Sequence, residues 1–226
     1  MEYSIEFEKT LFNPHRIDLP QHLILIPQFW DKMYFEQMRL EANTCIEMIQ
    51  CEFLLFQDYT VICGFLGYPH LFTILEFITD IRQKDIYFLG TAGSTNEIYD
   101  HPLPLQVEEI HSTSILDVFA KEKQFKLKTV DSWQMNKAKG VTVDIIQRET
   151  PSWLKEQVQK GIDFVEMEIF PLRVYLQKPF HAVVVTSDLL AEPSIRVFKD
   201  KKSLQKEFVR SYELILELIS KNNGGI

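Results

Sequence analysis

Two hydrophobic periods interleave along this chain. Short apolar runs closed by turn-forming residues predict strands over 22–27, 52–56, 60–65, 86–89, 105–112, 125–130, 140–146 and 181–186. The runs at 52–56 and 60–65 flank Gln57, Asp58 and Tyr59, a break suited to a hairpin. Apolar residues at helical spacing mark 71–81 and 114–122, and helical composition marks 31–50. A long amphipathic helix over 204–221 is closed by Asn222, Asn223 and Gly224, with Leu204, Phe208, Tyr212, Ile215, Leu216 and Ile219 on one face. Residues 1–20 form an irregular N-terminal arm, where Asn13, Pro14 and Pro20 disfavour regular structure. No linker follows, so 1–226 is expected to be one domain.

One helix announces both of its ends. Thr150 suits the N-cap, Pro151 the first helical position, and Gly161 a left-handed stop. It leads into Asp163-Phe-Val-Glu-Met-Glu-Ile-Phe-Pro-Leu172, which sets Glu166 and Glu168 two residues apart in an apolar segment. Pro171 is tolerable only near the start of a helix, so that helix should begin near Glu168 or Ile169, with 165–167 ending a strand. An extended segment puts Val165 and Met167 on one face and the two glutamates on the other. The residues alone leave two readings: a charged strand edge in water, or carboxylates facing a ligand.

Composition narrows the function class. The 226 residues are 46% hydrophobic, 12% aromatic and 25% charged, enough for a large core in a soluble protein. A net charge of −8 argues against nucleic acid as partner, since phosphate neutralisation needs a basic surface. Cys45, Cys51 and Cys63 lie in apolar sequence with no CxxC spacing, and read as buried free thiols with no metal site. The first ten residues lack the basic flank and apolar core of a signal peptide, and no apolar run has the length of a membrane span. A cytoplasmic protein without membrane association is expected.

Alternating strands and helices predict an α/β sandwich with a mixed central sheet, whose ligands bind beyond the strand C-termini. Three chemically loaded groups are expected there: the glycine turn Gly90-Thr91-Ala92-Gly93, Glu166 with Glu168, and Ser187-Asp188. Two glycines after a strand allow a tight turn that presents N–H groups, although many ordinary strands end so. Asp188 also suits a helix cap, and Met167 the core.

These residues carry a resemblance. Gly90-Thr91-Ala92-Gly93, then Val165-Glu166-Met167-Glu168, then Thr186-Ser187-Asp188, preceded by Gly64 and the Gly67-Tyr68-Pro69 loop, resemble the purine nucleoside and uridine phosphorylase superfamily. That group includes the methylthioadenosine/S-adenosylhomocysteine nucleosidases and the futalosine hydrolases. The resemblance spans roughly residues 60 to 220. It implies a three-layer α/β/α fold, cleavage of an N-glycosidic bond, a nucleoside as small-molecule partner, and assembly into a dimer or hexamer. It implies Asp188 as the general acid at the purine base, a role that requires a protonated, buried carboxyl. Glu168 would bind the ribose 2′ and 3′ hydroxyls and Met167 would pack on the sugar. Thr91, with Gly90 and Gly93, would lie on the nucleophile side. Ile146, Glu166 and Ser187 would line the base pocket, Ile146 in place of the usual stacking aromatic.

The departures bear on the nucleophile. Phosphorolytic relatives carry a Gly-Asp-Pro-like loop after the first strand, whereas here Leu25-Ile26-Pro27 runs into Gln28-Phe29-Trp30. No arginine precedes Gly90, where Tyr87, Phe88 and Leu89 stand. The glutamate that positions water in the nucleosidases is also absent, and Asp31 is the one nearby carboxylate. Hydrolysis of a purine-type nucleoside is favoured over phosphorolysis, with no cofactor and phosphate as the alternative co-substrate. A non-catalytic descendant that binds a nucleoside or a protein stays open as the rival class.

Overall fold

The computed structural model describes residues 17–28, 31–48, 51–65, 67–95, 101–113, 122–144, 150–192, 195–198 and 200–224. The chain divides into two compact units, Met1–Ile86 and Tyr87–Ile226. Most of the arm at 1–20, most of the helix expected at 114–122, and Ile146 lie outside the described residues.

In the first unit, β1 (His22–Ile26) pairs parallel with β4 (Tyr59–Cys63). From β4 the ladder continues antiparallel to β3 (Cys51–Leu55) and then to β2 (Thr44–Met48). The hairpin expected across 57–59 is present. The helix expected over 31–50 is shorter: α1 (Lys32–Glu41) stops before an extended Ala42, and β2 follows. Pairing with β3 overrides the helical composition there, because each ladder bond satisfies a backbone group that an isolated helix end leaves open. Asp31 accepts from the N–H groups of Met33 at 3.0 Å and Tyr34 at 3.1 Å, so its carboxylate is the N-cap of α1. The Gly67-Tyr68-Pro69 segment is the start of a helix, α2 (Gly67–Glu76), where Pro69 costs no backbone bond. All three cysteines are free, but Cys45 is exposed on β2, and only Cys51 and Cys63 are buried.

The second unit holds β5 (Asp85–Ser94) from Tyr87 onward, β6 (Pro104–Ser112), β7 (Gln124–Lys126), β8 (Asn136–Thr142), α3 (Pro151–Gln159), β9 (Phe164–Glu166), α4 (Ile169–Leu176), β10 (His181–Glu192), β11 (Ile195–Phe198) and α5 (Lys201–Asn223). Pairing runs from β10 to β6, β8, β9, β5 and back to β10, so five strands close on themselves. Closure removes the open edges that would otherwise invite further pairing. The strands are mixed in direction, as expected for this α/β chain.

Register assigns every side chain of this ring to one of two faces. One face carries Val107, Ile110, Ala138, Gly140, Thr142, Phe164, Glu166, Ser94, Ala92 and Thr186, all buried. A Cβ on Gly140 would lie 2.2 Å from the Phe164 ring, so glycine is what lets that ring fill the space. The other face carries Val141, Val165, Gly93 and Leu190, against which Trp153 and Leu154 of α3 pack. Thr150 caps α3 through Trp153 N at 3.3 Å, and Gly161 has φ 72°, as the sequence predicts.

Candidate functional site

Glu168 stands at the N-cap of α4, directly after β9, and Pro171 falls in the first turn of that helix. Its side chain makes no capping bond. The capping group is Glu166, whose Oε2 accepts from Glu168 N at 2.6 Å and Ile169 N at 2.7 Å. Glu166 Oε1 accepts from the Thr142 hydroxyl, and the same hydroxyl oxygen accepts from Phe170 N at 3.1 Å. One carboxyl group and one hydroxyl thus satisfy three successive N–H groups at the start of α4.

Burial and the charge of Glu168 push the Glu166 carboxyl up to about 8, against the downward pull of the Thr142 hydroxyl and the two N–H groups. Glu166 was expected in the base pocket; both of its oxygens are engaged by Thr142 and the helix start. Asp163, at the head of the same stretch, is also raised by burial, and Lys139 N at 2.9 Å opposes that shift.

The other two expected groups sit differently from the sequence expectation. Gly90-Thr91-Ala92-Gly93 is not a turn at a strand end: β5 runs on through Ser94, with β10 beside it from Tyr87. Its glycines answer packing, since a Cβ on Gly90 would meet Phe88 at 2.7 Å and one on Gly93 would meet Leu190 at 3.1 Å. Asp188 likewise lies inside β10, which extends to Glu192, and caps no helix. Both runs lengthen because partner strands from distant sequence continue to bond their backbones.

A bulge decides which way Asp188 faces. Thr186 pairs with Ala92 and Asp188 with Gly93, so one step on β5 corresponds to two on β10, and Ser187 is the extra residue. Regular alternation would put Asp188 on the face of Thr186, with Glu166 and Thr142. The bulge moves it to the face of Gly93, Val165 and Leu190. Thr91, two residues before Gly93 and half-buried, shares that face.

Val165, Gly93 and Asp188 therefore form a row across three adjacent strands. At the usual strand spacing, Val165 and Asp188 stand roughly 10 Å apart at Cα, and the turn bearing Met167 and Glu168 begins directly after that row. Met167 packs against the cluster formed by Val141, Val143, Ile162, Val165 and Leu190 and stays partly exposed. Glu168 and Asp188 are 7% and 3% exposed, a burial that carboxylates without a role in binding or packing seldom have. The Ser187 hydroxyl lies 2.6 Å from Asp188 Oδ1 and 3.3 Å from the Ala92 carbonyl oxygen. Thr142 is the member of this network that sequence reading missed; its signal was a hydroxyl at the end of an apolar strand, with nothing local to link it to Glu166.

No protein-family model matches the chain. No curated protein matches it either. Solved structures do share its fold. A 5′-methylthioadenosine/S-adenosyl homocysteine nucleosidase from Campylobacter jejuni superposes with a TM-score of 0.64 at 14% identity, covering 89% of this chain and 99% of that one. The corresponding nucleosidase of S. pneumoniae, with the transition-state inhibitor MT-ImmA, gives 0.64 at 12% identity, covering 90% and 98%. Purine nucleoside phosphorylase from Toxoplasma gondii, in complex with immucillin-H, gives 0.64 at 15% identity, covering 85% and 88%.

Proposed function

We propose, from the premise that this chain has the nucleoside phosphorylase and nucleosidase fold, that it is a divergent enzyme cleaving the N-glycosidic bond of a purine-type nucleoside. The observation that carries the reading is the bulge at Ser187, which turns Asp188 onto the face where the Met167-Glu168 turn begins. A base and its sugar need two anchors a short distance apart, and in this reading Asp188 and Glu168, both buried, supply them. Glu168 accepts hydrogen bonds from the ribose 2′ and 3′ hydroxyls and Met167 packs on the sugar. Their grip holds the ring as it takes on oxocarbenium character, so its loss costs rate as well as affinity.

Asp188 donates a proton to the departing base. The Ser187 hydroxyl, 2.6 Å from Asp188 Oδ1, helps to hold that side chain in place. Thr91 lies on the nucleophile side. Water is the nucleophile in this reading, because neither the segment after β1 nor the residues before Gly90 supply an arginine or a glycine-rich phosphate cradle.

The test is release of free base by purified protein from purine nucleosides, methylthioadenosine and futalosine, with and without phosphate. Release independent of phosphate is expected, with Asp188→Asn and Glu168→Gln each slowing it by about 100-fold or more. No release from any member of the panel overturns the enzyme reading. Thermal stabilisation by nucleosides without turnover, unchanged in Asp188→Asn, would identify a binding protein instead.

A further inference from the structure

We infer that Thr142 is the positioning residue for Glu168, and that its hydroxyl sets how strongly the site distinguishes ribosides from 2′-deoxyribosides. The inference rests on the nucleoside reading above. Its structural half, that Thr142 holds the turn carrying Glu168, is observable in the free protein.

The hydroxyl has a fixed job in two directions. Thr142 is fully buried at the end of β8, paired with Glu166 in the parallel ladder so that both side chains leave the sheet on one face. Its backbone is pinned on either side, with Thr113 N bonding its carbonyl at 3.1 Å and Val143 N bonding Glu166 O at 2.9 Å. Its oxygen accepts from Phe170 N, and its one proton goes to Glu166 Oε1. Glu166 Oε2 in turn holds the N–H groups of Glu168 and Ile169.

Glu168 is thus fixed through its backbone by the Glu166 carboxyl group, which is itself oriented by Thr142, while the Glu168 side chain makes no capping bond. Removing the hydroxyl frees Glu166 to rotate and leaves Phe170 N–H without its acceptor. The turn is then free to shift by a fraction of an ångström or more, and displacements near 1 Å are enough to cost about 100-fold in rate. The loss falls on substrates that use Glu168 fully, those with both ribose hydroxyls, and less on substrates lacking the 2′ hydroxyl.

The experiment compares Thr142→Val, Thr142→Ser and Glu168→Gln in the full chain, with adenosine and 2′-deoxyadenosine as probes, methylthioadenosine and its 2′-deoxy analogue replacing them if the panel shows that substrate to be preferred. Expected for Thr142→Val is a loss of about 10-fold or more in kcat/KM for the riboside and about 3-fold or less for the deoxyriboside. Thr142→Ser restores both, and Thr142→Val combined with Glu168→Gln is no worse than Glu168→Gln alone, as expected for residues acting in series.

Amide exchange in the unliganded protein is the second readout: Glu168, Ile169 and Phe170 exchange faster in Thr142→Val while β10 and α5 keep their wild-type protection. Equal losses on both substrates, full additivity with Glu168→Gln, or unchanged exchange at those three amides each overturn the inference. If wild-type protein releases no base from any nucleoside, the functional reading and the selectivity it supports fall together, and exchange alone decides whether Thr142 holds the turn. Should Thr142→Val not fold, Thr142→Cys, whose thiol is a weak donor, carries the same comparison.

Discussion

Replacing Glu166 with glutamine should flatten the dependence of stability on pH across the neutral range. The Glu166 carboxyl is raised from 4.5 to about 8, first by burial and then by the charge of Glu168. The folded protein therefore holds this proton more tightly than the unfolded chain does. Its contribution to stability is fully present below the unfolded value of 4.5 and is lost as pH rises through about 8. Each unit of difference corresponds to about 1.4 kcal/mol, and part of the rise is repulsion from Glu168 rather than burial, so a loss of about 1–4 kcal/mol is expected between about pH 5 and pH 8.5.

Glutamine keeps the shape and one acceptor for the N–H groups of Glu168 and Ile169, and it cannot ionise. It should match the wild type within about 1 kcal/mol at the acid end, where the wild-type group is also neutral. It should become the more stable protein at the alkaline end. Urea unfolding midpoints of both proteins, taken at intervals from about pH 5 to pH 8.5, give the difference curve, in which titrations common to both cancel. Parallel curves over that range would refute the assignment of the buried proton to Glu166.

Gly140→Ala should destabilise the second unit by about 2–3 kcal/mol, because its Cβ would meet the Phe164 ring at 2.2 Å, and Phe164→Leu should recover part of that loss in thermal unfolding. Asp31→Ala should cost about 1 kcal/mol by removing the cap of α1 and leave any base release unchanged; a large loss of turnover at unchanged stability would show that Asp31 works at the site instead. In native protein one thiol should react rapidly with a disulfide reagent, Cys45 on its exposed strand, while Cys51 and Cys63, buried and both pushed up to about 12, react only on unfolding.

What the sequence determined by itself was whatever a few neighbouring residues decide. Thr150, Pro151 and Gly161 bound α3 because an N-cap, a proline at the first turn and a left-handed stop are local backbone chemistry. Pro171 placed Glu168 at the start of α4 for the same reason, since a proline ring is compatible only with the first turn. The apolar stripe of α5 needed only its own period, although Asp200, which accepts from Ser203 N at 2.7 Å, sets its start earlier than that stripe shows.

Tertiary structure alone decided the rest, because strand pairing joins residues that sequence spacing cannot connect. Gly90 to Gly93 stay extended because β10, more than ninety residues later, bonds that edge of β5. Glu166 and Thr142 meet across 24 residues, and only their meeting shows that Glu166 caps the helix while the Glu168 side chain is left out of the cap. The face of Asp188 turns on one extra residue at Ser187, and a bulge exists only relative to the strand beside it. Local residues thus named the two carboxylates at which the functional reading begins, and non-local register chose which of their neighbours share a face.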